Sequence, residues 1–230
     1  MTQRVGADAL AEDVFGLNVR GLKTMRDAVL RPGVVFAAAR SRDWSQRYTP
    51  SVRVVFWLLT ATSFLRFLWA SDDSAMFLNF EANLSAVEDP ARRRELARSV
   101  LAAYAALVPF LFLAFEGLLA AVLRVWGVAT SYAERYRLLL VALIPSTLFL
   151  TLMTLTLPFL PLAAVVPVGY AVAASAVILD ASTGARGGVA GRGVGRFWRA
   201  ALLGVAAQAA SLLADGVALT VAVLIASRTV

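Results

Sequence analysis

The sequence predicts an all-α integral membrane protein with five transmembrane helices, the N-terminus inside, the C-terminus outside, and an N-terminal interfacial amphipathic helix. Of its 230 residues 60% are hydrophobic and 16% are charged, against about 45–50% and about 25% in soluble domains. Five segments reach the length of about 20 apolar residues that a helix needs to cross ~30 Å of hydrocarbon. These observations exclude an ordinary soluble domain.

The sequence contains no cysteine and no histidine. Disulfides, thiolate nucleophiles and Cys-ligated metal centres are therefore excluded, as are His-ligated metals and catalytic triads that use imidazole. Ser146 and Ser211 have no evident base. We expect no enzymatic activity, no catalytic residues, no cofactor and no metal site.

Residues 1–50 are predicted to form a cytoplasmic or interfacial segment, too short and too polar to bury a core of their own. Between Val19 and Leu30, apolar residues recur at helical spacing and basic residues fill the other positions, as in helices that lie on anionic headgroups. Trp44 and Tyr48 follow among arginines, as in an interfacial belt. The alternative is a solvated tail. The residues assigned to headgroups are Arg20, Lys23, Arg26, Trp44, Arg47 and Tyr48.

A five-helix transmembrane domain is predicted over residues 51–230. Its third and fourth spans are separated by Pro158-Phe159-Leu160-Pro161, which has two prolines and no charge and is typical of a tight reversal at the membrane edge. The outer loop, residues 71–98, predicts one or two short amphipathic helices that end near Asp89-Pro90. The five spans cover about residues 52–70, 99–123, 138–157, 162–179 and 200–226.

Orientation is predicted from the basic residues, which number 22 and include a single lysine. Sixteen lie in the N-terminal segment and in the two loops on its side of the membrane, and five lie on the opposite side. Since Lys and Arg accumulate in cytoplasmic loops, the N-terminus is predicted to be inside. The Ala- and Arg-rich composition favours a bacterial protein, located in the cytoplasmic (inner) membrane.

Short motifs occur in a defined order along this layout. They are Arg31-Pro32, Tyr48-Thr49-Pro50, Ser131-Tyr132-Ala133-Glu134, Pro145 inside the third span, and Arg199-Ala200-Ala201-Leu202-Leu203 at the start of the fifth. Over about residues 20–226 the chain resembles the Yip domain family, whose eukaryotic members interact with Rab-type GTPases. The resemblance implies five spans with the N-terminus inside. It brings no catalytic residues, and the eukaryotic trafficking role is not expected in a bacterial chain.

Three ionisable residues fall at bilayer depth, namely Arg66, Glu116 and Asp215. Each costs roughly 2.5–3.5 kcal/mol to insert, so each is a functional hypothesis that needs a partner. At 1.5 Å per residue, Arg66 and Asp215 lie about 6 and about 3 Å outside their span midpoints, and Glu116 lies about 7 Å toward the cytoplasm. Arg66 and Asp215 are therefore the predicted pair. Glu116 would need Arg199, Arg137 or a water-filled cleft.

The fifth span carries a stripe of small and polar residues at helical spacing, and such a stripe is expected to face other helices. Similar stripes on the second and third spans predict a compact bundle with an intramembrane polar seam. One interpretation is that the seam only fixes helix register. The other is that Glu116 and Asp215 carry protons or bind a cation in a small transporter. The seam residues are Arg66, Glu116, Gln208, Ser211 and Asp215.

The loop from Gly184 to Gly195 contains six glycines and two arginines. No strand precedes it, so it is interpreted as a flexible cytoplasmic linker rather than as a nucleotide-binding loop. The predicted function is that of a non-enzymatic scaffold or accessory subunit, or a role in membrane organisation. The alternative is a small ion-coupled, proton-coupled or lipid transporter. Anionic lipids are the expected partners, with a protein partner or a second copy at the small-residue faces, and no nucleic acid.

Overall fold

The fold was analysed in a computed structural model that describes residues 19–41, 43–69, 74–82, 84 and 87–229. Within these ranges there are nine α-helices, one short 3-10 turn and no strand. The helices are α1 (Val19–Leu30), α2 (Pro32–Ala39), α3 (Trp44–Arg47), α4 (Ser51–Trp69), α5 (Ala75–Ala82), α6 (Pro90–Val122), α7 (Tyr132–Thr154), α8 (Leu162–Gly187) and α9 (Gly193–Thr229).

Five of these helices, α4 and α6 to α9, are long and apolar enough to cross a membrane. Each overlaps one of the five spans predicted from the sequence, so the all-helical fold class and the presence of five candidate spans are confirmed. Four helices begin before the predicted start of their span, whereas α4, α6 and α7 end before its predicted end. Helix α6 begins with Pro90, after Asp89 caps it by accepting a hydrogen bond from the Ala91 amide at 3.0 Å, a favourable N-terminal pair.

The five long helices form a ring in the order α4, α7, α8, α9, α6 and back to α4. Helices α6 and α7 also contact each other across the ring near the short loop that joins them. There the Tyr136 hydroxyl donates to the Leu113 carbonyl at 3.0 Å, and Gly117 leaves room for Tyr132. This crossing narrows the ring at one end.

Small residues let α9 approach its two neighbours closely, as is usual between membrane helices. A Cβ atom on Gly204 would collide with the Val177 carbonyl of α8. Helix α9 also turns a row of buried alanines inward: Ala207, Ala210, Ala214, Ala218, Ala222 and Ala226. The predicted stripe shares only Ala218 and Ala222 with this row, and its Gly204 also lies in close helix contact. Its polar members are only partly buried: Gln208, Ser211 and Asp215.

Helix α7 is the most enclosed of the five, with every residue from Leu138 to Thr147 buried. A hydroxyl pair, Thr62 and Thr151 at 2.9 Å, connects it to α4. After Thr154 the chain reverses through a 3-10 turn at Leu157–Phe159 and enters α8 behind Pro161. The predicted proline-containing break lies at this reversal.

The N-terminal helices pack on the narrow end of the ring, which we call the α1–α3 end. Helices α1 and α2 contact both α7 and its neighbours, and Val35 and Phe36 are fully buried there. A solvated tail is thus incorrect for residues 19–41. Residues 1–18, the beginning of the predicted interfacial segment, lie outside the described residues.

Helix α5 lies at the opposite end, which we call the α5 end. It packs against both α6 and α8, and Phe77 is buried against Ala97 and Leu101 of α6. Within residues 74–82 the outer loop therefore contains one short helix, as the sequence predicts.

Candidate functional site

The five residues predicted as a polar seam lie on three helices of the ring. Arg66 is on α4, Glu116 on α6, and the other three, Gln208, Ser211 and Asp215, are on successive turns of α9. The structure divides them into two groups separated along the ring axis. One group contains Arg66 and Asp215, and the other contains Glu116 and Ser211.

Arg66 and Asp215 meet through Tyr104 of α6, which the sequence analysis did not single out. The Tyr104 hydroxyl donates to Asp215 Oδ1 at 3.1 Å, and the charge of Arg66 acts on both groups. The four ion pairs found in the described part of the chain include neither Arg66 nor Asp215. The two charges therefore face one region without direct contact, and a tyrosine hydroxyl lies between them.

Glu116 meets neither of the arginines that were considered for it. Arg137 donates to the Ala39 carbonyl at 2.9 Å, and Arg199 donates to the Ala190 carbonyl at 3.3 Å. Glu116 is fully buried, and its neighbours are the Ser211 hydroxyl and the carboxyl of Asp180. Its expected cationic partner is thus replaced by a second acid.

Asp180 is a site residue that the sequence analysis missed. The predicted fourth span stopped at Leu179, where the apolar run ends, and this placed Asp180 in a loop. Helix α8 in fact continues to Gly187, and Asp180 is only 2% exposed. The available signal was its position directly after the apolar run, with no glycine or proline to end the helix there.

The two carboxyls have few hydrogen-bond partners. Glu116 Oε2 and Asp180 Oδ1 are both buried with none in the structure. The Ser211 hydroxyl lies 3.4 Å from Glu116 Oε1 but also donates to the Ala207 carbonyl at 3.0 Å. A serine hydroxyl has one hydrogen, so Ser211 shares it between the Ala207 carbonyl and Glu116 Oε1, and Glu116 Oε2 stays without a partner.

Asp180 has a similar neighbour in Ser146 of α7. The Ser146 hydroxyl donates to the Leu143 carbonyl at 3.0 Å and lies within hydrogen-bonding reach of the Asp180 carboxyl. Its single hydrogen is also directed to a helix carbonyl. Each acid therefore has beside it only a serine hydroxyl that already bonds its own helix.

Two adjoining cavities lie beside the two groups, although Glu116 itself lines neither. The larger, about 420 Å³, lies toward the α5 end and reaches Phe80. The smaller, about 250 Å³, lies toward the α1–α3 end and reaches Asp180 and Ser211. Arg66 and Asp215 line both. The two cavities therefore form one internal space in the ring, with polar side chains at several points along its wall.

The residues assigned to lipid headgroups separate into two sets. Trp44 and Tyr48 are each only 4% exposed, and their rings stack with centroids 5.2 Å apart. Their assignment to headgroups is corrected, because side chains enclosed by protein cannot reach lipid. The basic residues of the prediction, Arg20, Lys23, Arg26 and Arg47, are exposed.

Tyr48 instead holds the buried carboxyl of Asp27 in α1. Its hydroxyl donates to Asp27 Oδ2 at 3.1 Å, and Arg26 donates to Oδ1 at 2.8 Å. Burial by itself would raise the pKa of Asp27, but these hydrogen bonds and the charges of Arg26 and Lys23 lower the pKa below its usual 3.8. Burial and the Asp27 hydrogen bond raise the pKa of the Tyr48 hydroxyl. Asp27 is therefore a charged, fully partnered carboxylate.

The glycine-rich segment is not a flexible linker over its first half. Gly184 and Gly187 belong to the last turns of α8, and a Cβ atom on Gly187 or Gly188 would collide with the ring of Phe36. Arg40 donates to the Gly188 carbonyl at 2.7 Å. The glycines at this point permit α2 to pack against α8.

Comparison of the sequence with protein-family models, with curated proteins and with solved structures finds no match. Among the described residues no group of three or more His, Cys, Asp or Glu side chains is placed to hold a metal ion. The features of the described structure that point to a function are the two charged groups and the cavities beside them.

Proposed function

We propose that this chain is a small proton-coupled transporter of a bacterial cytoplasmic membrane, with the N-terminus inside and with Glu116 and Asp180 as its proton-carrying pair. The observation that carries the proposal is the pair itself. Two buried acids on different spanning helices lie close enough to interact, and each has an oxygen without a partner. No arginine or lysine side chain of the described residues forms an ion pair with either.

The energetic cost of this arrangement favours proton binding. An ionised carboxylate in a low-dielectric interior is expensive unless it is paired, and two of them repel each other. A seam that only fixed helix register would be stable as a fully satisfied polar network. Two neighbouring buried acids that have no cationic partner and that each have an unpartnered oxygen suit a site that holds protons and releases them when water enters.

The adjoining cavities supply a route for these protons. Asp180 lines the smaller cavity, and Asp215 lines both. Ionisable residues inside membrane domains typically mark ion pathways and proton relays. The transporter hypothesis from the sequence paired Glu116 with Asp215; here Asp180 takes the place of Asp215 beside Glu116, and Asp215 lies further along the route.

A scaffold, accessory or membrane-organising role, the function first expected from composition, ranks second because it needs neither the cavities nor the acid pair. In either case the exposed basic residues Arg20, Lys23, Arg26 and Arg47 are proposed to contact anionic headgroups. Membership of the Yip domain family and the absence of enzymatic activity stay predictions.

The proposal is tested by charge movement, which requires no knowledge of the substrate. Purified protein in vesicles on a solid-supported membrane is exposed to a pH jump, and the transient current is recorded. Wild type is expected to give a displacement current as protons enter the pair. Glu116→Gln and Asp180→Asn should each reduce it, and the double variant should abolish it.

The matched control is Glu95→Gln, a carboxyl on the same helix as Glu116 but exposed. It should retain the wild-type current. Infrared spectra of the same samples should show a protonated-carboxyl band that is lost in the double variant. A folded double variant with an undiminished current and band would refute the proposal.

A further inference from the structure

The larger cavity has the size and lining of a small-molecule site. Its volume of about 420 Å³ lies within the range of roughly 300–1,000 Å³ that is usual for ligand pockets. Most of its wall is aliphatic or aromatic, and its polar side chains are Ser63, Arg66, Tyr104, Thr154 and Asp215. Apolar walls with a few convergent polar groups are typical of ligand sites.

Two glycines keep this cavity open. Gly169 of α8 and Gly216 of α9 both line it, and a Cβ atom on either would meet nothing within 4 Å. Glycine inside a helix costs roughly 0.5–1 kcal/mol relative to alanine. These two are not explained by close helix packing, unlike Gly204. Their absent side chains instead enlarge the cavity.

The charges in the cavity are of opposite sign but do not pair directly. Asp215 accepts a hydrogen bond from Tyr104 through Oδ1, which leaves Oδ2 for another donor. Arg66 has a guanidinium with five donors and no ion pair with Asp215 in the described structure. A ligand that satisfied both would carry an anionic group for Arg66 and a cationic or donor group for Asp215.

We infer that the larger cavity binds a zwitterionic amphiphile, a lipid whose phosphate meets Arg66, whose ammonium meets Asp215, and whose chain lies along the apolar wall. Phe67 and Leu219 line the cavity and are also exposed, so an acyl chain can enter from the side of the bundle. The inference does not depend on proton binding at Glu116 and Asp180.

The test measures lipid binding to the purified protein by native mass spectrometry. Two probes have the same acyl chains: phosphatidylethanolamine, and phosphatidylglycerol, which lacks the ammonium. The third probe is free phosphoethanolamine, which lacks the chains. Phosphatidylethanolamine is expected to bind best. Arg66→Gln should weaken all phospholipid binding about tenfold, since hydrogen bonds to charged groups are the stronger ones. Asp215→Asn should remove the preference for phosphatidylethanolamine over phosphatidylglycerol.

A second variant tests the cavity without touching a charge. Gly216→Leu should fill it and reduce phosphatidylethanolamine binding, while Gly195→Leu, also in open space but outside the cavity, should not. Equal binding of both phospholipids by the wild type, or binding that Gly216→Leu leaves unchanged, would overturn the inference. Tight binding of free phosphoethanolamine would also overturn it, since the ligand would then be a small polar zwitterion. None of these outcomes bears on the pH-jump current.

Discussion

The two charged groups inside the ring differ in what surrounds each charge. At the α5 end, Arg66 and Asp215 have opposite signs and share a tyrosine hydroxyl beside a large cavity. Nearer the α1–α3 end, Glu116 and Asp180 have the same sign, are almost fully buried and have unpartnered oxygens. The first group brings an acid and a cation together, and the second brings two acids together without a cation. Burial of an acid alone therefore does not define its role; the sign of its nearest neighbour does.

Reversal of the charge at Arg66 is expected to have the largest effect. Arg66→Glu would place an anion beside Asp215 and leave both without a cation. We expect a loss of about 3 kcal/mol in the free energy of unfolding, because an interaction of the size of a hydrogen bond to a charged group, about 1.5–3 kcal/mol, is replaced by repulsion between two anions. Thermal unfolding in detergent measures the change.

The control for this variant is Arg92→Glu, an exposed arginine at the start of α6, which should shift the transition little. The exchanged pair, Arg66→Asp with Asp215→Arg, should recover part of the loss. If Arg66→Glu unfolded like the wild type, Arg66 and Asp215 would not interact, and this group would not be stabilised by its opposite charges.

The position of Arg66 and Asp215 in one group follows from residue depth and helical spacing, which the sequence supplies. The pairing of Glu116 with Asp180 does not, because it depends on α8 continuing past its apolar run. That continuation is stabilised by tertiary contacts, where Gly187 and Gly188 fit beneath Phe36. The number of spans can be predicted from the length and hydropathy of each segment alone. The order of the helices in the ring cannot, because it depends on contacts between distant segments.

Neutral substitutions at the two groups should give unequal losses of stability. Asp215→Asn removes the attraction of Arg66 and a charge-assisted hydrogen bond from Tyr104, which should cost about 1.5–3 kcal/mol. Glu116→Gln removes no favourable charge interaction, because no cation among the described residues forms an ion pair with Glu116. Its cost should be below about 1 kcal/mol. Both are measured by the same unfolding transition at neutral pH, and an equal loss in both variants would show that Glu116 is charged and stabilised.

The smallest expected effect concerns Asp27, a third buried acid that is charged because Arg26 and Tyr48 satisfy it. Its pKa is lowered in the folded state, so its contribution to the docking of α1 is complete above the ordinary value of 3.8. The contribution is lost as the pH falls through the lowered pKa. Since α1 packs on the outside of the ring, we expect acid to release α1 before the ring unfolds.

The absence of cysteine makes this release measurable with single thiols. Met25→Cys introduces a smaller side chain on the buried face of α1, and Leu22→Cys introduces one on its exposed face. With a dipyridyl disulfide, which reacts with thiols in acid, the thiol at position 25 should be protected at neutral pH and should react in acid. The thiol at position 22 should react at every pH, and its rate corrects for the pH dependence of the reagent itself. Asp27→Asn should remove the pH dependence at position 25, because an amide does not titrate; protection that still changed with pH in this variant would assign the acid response to another group.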